Sequence, residues 1–193
     1  MALDVAALLR ETGALLAGHF RLSSGLHSPS YVQCARLLER PGNAKAIGEA
    51  LAEKVRGFGA QAVVAPALGG VIIGYTVAEA LDVPSMFTER KDGQMMLRRG
   101  FEIGPGQPVV IVEDVVTTGK STRETADVVQ KQGGVVAGFA SILNRSGKAN
   151  PFAPALYASL LTLALDSYEE SNCPLCKAGT PLDAPGSRYS RSS

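Results

Sequence analysis

One stretch constrains the fold of this chain more than any other. Residues 109–112 read Val-Val-Ile-Val, and two acidic residues, Glu113 and Asp114, follow directly. A continuous apolar run of this length predicts a strand that is buried on both faces, as in a parallel sheet. Residues 121–132 then predict a helix, which a Gly-Gly pair ends. Strand, polar loop and helix together predict an α/β fold, whose ligands bind beyond the carboxyl ends of the strands.

The same alternation of strands and helices extends along the chain. Helices are predicted at residues 1–15, 44–56 and 71–81, and strands at residues 62–65, 85–88 and 135–143. The turn pair Asp92-Gly93 predicts a hairpin. The polar residues 23–30 and the Gly-rich residues 98–108 predict loops, whereas residues 182–193 predict disorder. The pattern indicates a mostly parallel central sheet flanked by helices.

The composition excludes several classes of function. The chain has 193 residues, which suits one domain, and its formal net charge of +1 predicts neither a nucleic-acid partner nor a membrane surface. The N-terminus lacks a basic region and a long apolar run, so no signal peptide or membrane span is predicted. The cysteines number three, an odd count that favours a reducing cytoplasm over a disulfide framework.

The loop after residues 109–112 has the chemistry of a phosphoribose site. Residues 117–121, Thr-Thr-Gly-Lys-Ser, offer hydroxyl and N–H groups at a helix N-terminus, where the helix dipole favours an anion. The two acids before them can accept hydrogen bonds from sugar hydroxyls. A Walker A loop would need glycine where Asp114 stands, and no Gly-x-Gly-x-x-Gly follows a strand. A solvated turn capped by Ser and Thr is the structural alternative.

Residues 109–121 resemble the signature of the type I phosphoribosyltransferases, which bind 5-phosphoribosyl 1-pyrophosphate (PRPP). The resemblance implies the type I phosphoribosyltransferase fold, with a small N-terminal hood. It also implies that Glu113 and Asp114 hold the ribose hydroxyls and that residues 117–121 hold the 5-phosphate. The residues predicted to bind PRPP are Gly69, Gly70, Glu113, Asp114, Val115, Val116, Thr117, Thr118, Gly119, Lys120 and Ser121.

Two further segments gain a role from this resemblance. The loop at residues 65–71, Ala-Pro-Ala-Leu-Gly-Gly-Val, resembles the family's pyrophosphate loop, although a Gly-rich turn needed only for packing would look the same. The basic residues of the hairpin resemble a loop that closes over PRPP, although such charges are often merely solvated. The predicted catalytic residues are Arg90, Lys91, Arg98, Arg99 and Asp114.

Three stretches resemble the orotate phosphoribosyltransferases in particular. Residues 19–31 resemble their hood over the base, residues 65–74 their pyrophosphate loop, and residues 141–145 the strand end at which they carry an arginine. Orotate is a planar pyrimidine with a carboxylate, which suits the forked guanidinium of an arginine. The predicted orotate-binding residues are Thr117 for the ring edge, Arg145 for a carboxylate or carbonyl, and Tyr31 for the ring face. Without the family, Arg145 would equally suit an exposed strand end.

The chain departs from the family pattern at two places. Ser23 lies where many members have a lysine, with Arg21 the nearest basic residue. Gln94 and Met96 stand at the spacings of a lysine and a histidine in the closing loop. Arg98 or Arg99 is the expected substitute for the missing loop cation.

The cysteines leave several readings open. Cys173 and Cys176 form half of a zinc knuckle, and no second pair exists. A zinc site would require Cys34 and His27 to converge on them; a redox pair and an inert knuckle are the alternatives. No metal ligand is therefore assigned, and His19 and His27 are expected to be local hydrogen-bonding residues.

Taken together, the sequence predicts an orotate phosphoribosyltransferase that uses Mg²⁺ bound mainly through PRPP and forms a homodimer. Residues 1–40 would form an N-terminal helix and the hood over the base, residues 41–170 the PRPP-binding α/β core, and residues 171–193 a Cys-containing, partly disordered tail. The alternatives are a purine or uracil salvage phosphoribosyltransferase and a PRPP-binding regulator without turnover. The near-neutral charge and the lack of a helix-turn-helix pattern count against the regulator.

Overall fold

A six-stranded sheet and a two-stranded hood make up the β-structure of the chain, whose computed structural model describes residues 3–22 and 24–185. In chain order the elements are α1 (Val5–Glu11), β1 (Leu15–Arg21), β2 (His27–Val32), α2 (Cys34–Leu38), α3 (Pro41–Val55), β3 (Ala62–Pro66), α4 (Gly69–Leu81), β4 (Ser85–Lys91), β5 (Gln94–Leu97), β6 (Pro108–Val116), α5 (Lys120–Lys131), β7 (Val135–Asn144), β8 (Tyr157–Thr162) and α6 (Pro174–Lys177).

The large sheet has the strand order β5-β4-β3-β6-β7-β8. Its strands run parallel except for β5, which returns antiparallel along β4 through the turn predicted at Asp92-Gly93. Strand β3 is buried at every position, as its unbroken apolar run predicts. The predicted α/β fold with a mostly parallel, helix-flanked sheet is therefore confirmed.

Helices cover the sheet on both faces, and the alternation along β6 shows how. Val110 and Val112 belong to the apolar cluster that contains the inner faces of α3 and α4. Val109 and Ile111 point the other way, into the cluster that contains Ala126 and Val129 of α5. Because successive side chains of a strand face opposite sides, one apolar run supplies both halves of the core.

Strand β6 is longer than predicted. It continues through the two acids to Val116, because β7 runs beside it and pairs Val115 with Leu143 and Val116 with Asn144. Glu113 and Asp114 therefore lie within a strand and not in a loop. A parallel ladder can hold polar residues in extended form when a neighbouring strand satisfies their backbone groups.

The hood, β1 and β2, corrects two predictions for the N-terminal region. The predicted helix of residues 1–15 is shorter: α1 ends at Glu11, and the left-handed Gly13 (φ 62°) precedes β1. The predicted loop of residues 23–30 contains the first four residues of β2, which pairs antiparallel with β1. Ser23, the position of a family lysine, lies outside the described residues.

Residues 166–185, here called the C-terminal segment, pack against the hood. Tyr168 exchanges two backbone hydrogen bonds of 2.8 Å with His27. The N–H of Asp183 donates to the His19 carbonyl, and the N–H of Arg21 donates to the Asp183 carbonyl, each at 2.8 Å. Disorder was predicted from residue 182 onward, so the ordered pairing of Asp183 corrects that prediction; residues 186–193 lie outside the described part. No helix in the described ranges combines the length and apolar character that crossing a membrane requires.

Candidate active site

The order of the strands locates the candidate site. From β3 the chain passes through α4 to β4 on one side, whereas from β6 it passes through α5 to β7 on the other. The two connections diverge at the carboxyl ends of β3 and β6, which are neighbours. In open α/β sheets this point of divergence forms a crevice in which ligands bind. The two segments predicted to hold PRPP, residues 65–71 and 117–121, both start at this crevice.

The loop after β3 approaches the end of β6 through its glycines. A Cβ atom built on Gly69 would lie 2.5 Å from an Asp114 carboxylate oxygen, and one on Gly70 would lie 3.1 Å from the carbonyl oxygen of Val112. Any side chain at Gly69 would displace the Asp114 carboxylate. These glycines therefore let the loop after β3 approach the acids on β6. They stand at the positions where the loop and the strand come closest.

The two acids at the end of β6 differ in their surroundings. Glu113 is buried, and its carboxylate accepts a hydrogen bond of 2.9 Å from the Ser121 hydroxyl. The Asp114 carboxylate accepts a bond of 2.7 Å from the N–H of Val115. Burial, and then the neighbouring Asp114 charge, raises the pKa of Glu113 well above its usual value. Burial also raises the pKa of Asp114. Two adjacent carboxylates at a crevice are suited to accept hydrogen bonds from paired hydroxyls.

The turn between β6 and α5 presents backbone groups to the crevice. Gly119 adopts a left-handed conformation (φ 71°) at the N-cap of α5, and no side chain caps this helix end. Arg123 braces the turn: it donates to the carbonyls of Thr118 and Pro151 at 2.7 Å each and lies over the Phe152 ring. The uncapped N–H groups of α5 and the helix dipole make this turn suited to bind a phosphate.

The predicted base-binding residues lie on the hood side of the same acids. Arg145 follows β7, is partly buried, and has an Nε atom without a hydrogen-bond partner among the described residues. Burial lowers its pKa. Burial first, and then the Asp114 charge, raise the pKa of Tyr31, while Arg145 lowers it. Since both charges affect Tyr31, the side chains of Tyr31, Arg145 and Asp114 lie near one another.

The hairpin β4–β5 carries the predicted cations, and most of them are already paired. Arg90 forms an ion pair with Glu124 of α5, and Glu89 accepts hydrogen bonds from Arg98 at 3.1 Å and Arg99 at 3.0 Å. Lys91 forms no ion pair within the described part of the chain and is exposed. It is therefore the hairpin cation most available to an incoming anion.

Sequence reasoning missed several residues of this region. Arg123, Glu89 and Glu124 brace the turn and the hairpin, but a lone charged residue on a predicted helix or strand carries no signal for such a role. Cys34 was considered as a partner for the late cysteines. It is instead buried near Asp114, Glu113 and Arg145, and burial raises its pKa well above the usual value.

The comparisons with known proteins agree with this geometry. Residues 33–154, more than half of the chain, match the phosphoribosyl transferase domain family. The orotate phosphoribosyltransferase of Carboxydothermus hydrogenoformans is 49% identical, over 96% of this chain and 98% of that protein. That of Thermotoga maritima is also 49% identical, over 94% of this chain and 96% of that protein. This chain belongs to the orotate phosphoribosyltransferase family.

A solved structure supports the fold of this orotate phosphoribosyltransferase family member. The crystal structure of orotate phosphoribosyltransferase from Aeropyrum pernix resembles it with a TM-score of 0.68 and 27% sequence identity, covering 82% of this chain and 94% of that chain. The type I phosphoribosyltransferase fold is thus confirmed, together with transferase membership. The roles of single residues are inferred from the local geometry.

Proposed function

We propose that the protein transfers the phosphoribosyl group of PRPP to orotate, giving orotidine 5'-monophosphate and pyrophosphate in pyrimidine nucleotide biosynthesis. One observation carries the proposal: at the divergence of β3 and β6, the Gly69-Gly70 loop lies against the two carboxylates of β6, and the turn at residues 117–121 follows the same strand. The extensive identity to orotate phosphoribosyltransferases, over nearly the full length of both chains, supports orotate as the acceptor. It favours this function over purine or uracil salvage and over a regulator without turnover.

The proposed PRPP site divides its work among three groups. Glu113 and Asp114 accept hydrogen bonds from the ribose hydroxyls. The N–H groups of residues 117–121 bind the 5-phosphate at the start of α5, where Thr118 and Ser121 add hydroxyls. Gly69 and Gly70 let the loop after β3 approach the pyrophosphate with its backbone. Each assignment rests on the approach of the Gly69-Gly70 loop and of Ser121 to the acids of β6, and on the chemistry of the groups at the crevice.

On the other side of the acids, the hood and β7 would hold the base. The partnerless Nε of Arg145 can donate to the orotate carboxylate or a carbonyl. Tyr31, which packs against Phe20 with ring centroids 5.8 Å apart, would cover the ring face. Thr117, at the end of β6, would bond the ring edge. Orotate would thereby lie next to the ribose C1′ that it attacks.

In the proposed reaction, orotate loses its ring N–H proton to solvent, the bond between C1′ and pyrophosphate breaks so that the ribose gains positive charge, and the ring nitrogen then bonds to C1′. The protein aligns the reactants and neutralises the leaving group. The hairpin residues Lys91, Arg90, Arg98 and Arg99 would supply that neutralisation. Lys91 can contact the pyrophosphate without first breaking an ion pair of the described residues. The arginines must first break their ion pairs with Glu89 or Glu124.

We propose that Mg²⁺ enters with PRPP. The crevice offers two adjacent carboxylates, Glu113 and Asp114, and no third acidic, His or Cys ligand joins them among the described residues. This donor set fits an ion held chiefly by pyrophosphate and ribose oxygens, since Mg²⁺ readily keeps waters and substrate oxygens as ligands. When bound, the ion offsets charge on the leaving pyrophosphate.

A homodimer is also proposed, because type I enzymes, which this chain resembles, often place the closing loop in the neighbouring subunit's site. The test is subunit complementation. Lys91→Met and Glu113→Gln chains, each weakly active, would regain activity when mixed and refolded together if the hairpin serves the partner's site. Absence of recovery in a mixed dimer would assign the hairpin to its own subunit. The cytoplasmic location stays a prediction.

The assay for the function follows the loss of orotate absorbance when protein, Mg²⁺ and PRPP are mixed with orotate. Uracil, hypoxanthine and adenine serve as alternative acceptors under the same conditions. Turnover with orotate alone is the expected result. Turnover with another base and none with orotate would contradict the proposed acceptor, and PRPP binding without any turnover would favour the regulator.

A further inference from the structure

A group of four potential metal ligands lies outside the candidate active site. His19 of β1, His27 of β2, and Cys173 and Cys176 at the start of α6 bring their ligand atoms within 4.8 Å of one another. We propose that these four side chains bind one structural Zn²⁺ ion that fastens the C-terminal segment to the hood. From the sequence alone no metal ligand is assigned, and Cys34 is a possible partner of the two late cysteines. In the structure, His19 lies beside them instead.

The distances between the ligand atoms suit a tetrahedral ion. The Cys173 sulfur lies 3.5 Å from His19 Nε2, and the Cys176 sulfur lies 3.7 Å from His19 Nε2 and 3.2 Å from His27 Nδ1. The two ring nitrogens are 2.9 Å apart. Tetrahedral Zn–S and Zn–N bonds of normal length place sulfur and nitrogen ligands ~3.5 Å apart and two nitrogens ~3.3 Å apart. These four separations differ from the ideal values by only a few tenths of an ångström, and all the ligand atoms lie within 4.8 Å of one another.

A hydrogen bond outside the cluster sets the tautomer of one histidine. The Nδ1–H of His19 donates to the Thr180 carbonyl at 2.8 Å, so its Nε2 carries the lone pair that faces the cysteines. Metal-bound histidines commonly donate their second ring N–H to a carbonyl or carboxylate in this way. The C-terminal segment therefore supplies two ligands and also orients a third.

The composition of the cluster indicates which metal fits. Two thiolates and two imidazoles in a closed tetrahedral arrangement favour Zn²⁺, whereas Mg²⁺ and Ca²⁺ prefer oxygen ligands. All four positions would be filled by protein, leaving none for a substrate or an activated water. The ion would therefore have a structural role.

Burial argues that the cluster is a built site. His19, His27 and Cys173 are 3%, 1% and 0% exposed, and only Cys176 lies at the surface. Buried polar side chains are costly unless partners satisfy them, and here the side chains face one another. Both cysteines are free thiols, so the arrangement of sulfur against imidazole is that of ligands and not of a disulfide.

The proposed ion would close a long loop of chain. His27 and Cys176 are 149 positions apart, and backbone hydrogen bonds from Tyr168 and Asp183 to the hood flank the cluster on both sides. Because the unfolded chain has no preformed site, metal binding contributes directly to folding. The site would hold the hood, which carries Tyr31, and the C-terminal segment in one arrangement.

The test measures zinc in the intact, reduced protein. Wild-type chain, Cys176→Ser and the matched control Cys34→Ser are equilibrated with zinc, desalted and analysed by elemental mass spectrometry. We expect one zinc per chain in the wild type and in the Cys34→Ser control, and loss of that zinc in Cys176→Ser. Chelation should lower the wild-type Tm by at least about 5 °C and leave the Tm of Cys176→Ser unchanged.

A spectroscopic measurement on the wild type keeps the proposal testable if the variants fold poorly. Co²⁺ added to the apoprotein should give the intense visible bands of a tetrahedral ion and a thiolate-to-cobalt charge-transfer band. Absence of zinc and of these bands from folded, reduced wild-type protein would overturn the proposal. Equal zinc in Cys176→Ser would also overturn it, as would a Cys173–Cys176 disulfide in protein whose thiols were trapped before lysis.

Discussion

The two regions that carry chemistry in this molecule are built in opposite ways. At the carboxyl edge of the sheet, the partners are close in sequence: the Ser121 hydroxyl bonds Glu113, eight positions away. At the junction of the hood and the C-terminal segment, the His19 and Cys173 ligand atoms come from positions 154 apart. In the first region, the acids and the phosphate turn follow from one strand, one turn and one helix, and the Gly69-Gly70 loop joins them from the neighbouring strand. The second exists only once both ends of the chain have folded.

The comparison implies different sensitivities. The sheet edge depends on close backbone approach and should fail when a side chain intrudes. The junction depends on ligands that hold two segments together and should loosen without disturbing PRPP. Five measurements test whether the two regions differ in this way.

The largest effect is expected from Gly69→Ala. Its Cβ would lie 2.5 Å from the Asp114 carboxylate, so either the acid or the loop must move. Displacing a positioned group by about 1 Å can lower activity by ~100-fold, and kcat/KM for PRPP should fall by about that factor. Gly42→Ala is the matched control, because its Cβ would meet nothing within 4 Å. Similar activity in both variants would contradict the close approach of the loop after β3 to Asp114.

Arg145→Met should separate the base from the phosphoribosyl group. Removing a charged hydrogen-bond donor should raise KM for orotate by about 10- to 100-fold and leave PRPP affinity nearly unchanged. Arg145→Lys, which keeps the charge but not the fork, should recover part of the loss. Steady-state kinetics with each substrate varied in turn measures both effects. A matching loss of PRPP affinity would place Arg145 on the phosphate side.

Lys91→Met tests whether the unpaired hairpin cation acts on the leaving group. We expect kcat to fall by about 10-fold, since one charged contact to the departing pyrophosphate would be lost. Lys45→Met is the control: that lysine is exposed on α3 and its ion pair with Glu49 measures 4.0 Å. Unchanged turnover in Lys91→Met would remove this residue from the mechanism and direct attention to the arginines.

Glu113→Gln should reveal a stability cost at the sheet edge. Because burial raises the pKa of Glu113, the folded wild type loses stability as pH rises from the ordinary glutamate value of about 4.3 through the raised value. The variant lacks that loss and should be more stable at pH 8 by about 1 kcal/mol, a difference that vanishes in acid. Urea unfolding of ligand-free protein at both pH values measures it. A variant less stable at pH 8 would contradict the assignment.

Cys176→Ser should give the smallest effect on catalysis. The PRPP dissociation constant should change by less than about twofold, and KM for orotate should rise by a few-fold, since loosening the hood costs part of one contact to the base. Calorimetry with PRPP and kinetics with orotate measure the two quantities. A large loss of PRPP affinity would show that the junction and the sheet edge are not independent.

The contrast also explains which features the sequence predicts. Local sequence patterns predict strands β3 and β6, the β4–β5 hairpin and the two loops proposed to bind phosphate groups. The clearest of these patterns are the apolar runs and the pair Asp92-Gly93. Strand β2 was predicted as a loop because its polar residues gain their partners from β1 and from Tyr168, far along the chain. The end of β6 was placed too early because pairing with Leu143 and Asn144 keeps the acids extended.

Within the candidate site the same distinction holds. Local chemistry and the family pattern predict Glu113, Asp114, Gly119 and Gly69 as site residues, and these roles stay predictions. The pairing of Arg98 and Arg99 with Glu89 was not predictable, since it depends on the register of the hairpin. For a similar reason, the sequence raised His27 but not His19 as a partner of the late cysteines. Two isolated histidines show no spacing that singles them out from residues of a polar hood.

The central claim is that the end of β6 and the turn before α5 bind the ribose and phosphate of PRPP. Isothermal titration of PRPP into folded protein with saturating Mg²⁺ tests it most directly. We expect one PRPP to bind per wild-type chain. The variant that combines Glu113→Gln and Asp114→Asn should bind PRPP at least about 100-fold more weakly than the wild type. Binding of PRPP with equal affinity by the double variant, or no binding by the wild type, would contradict it.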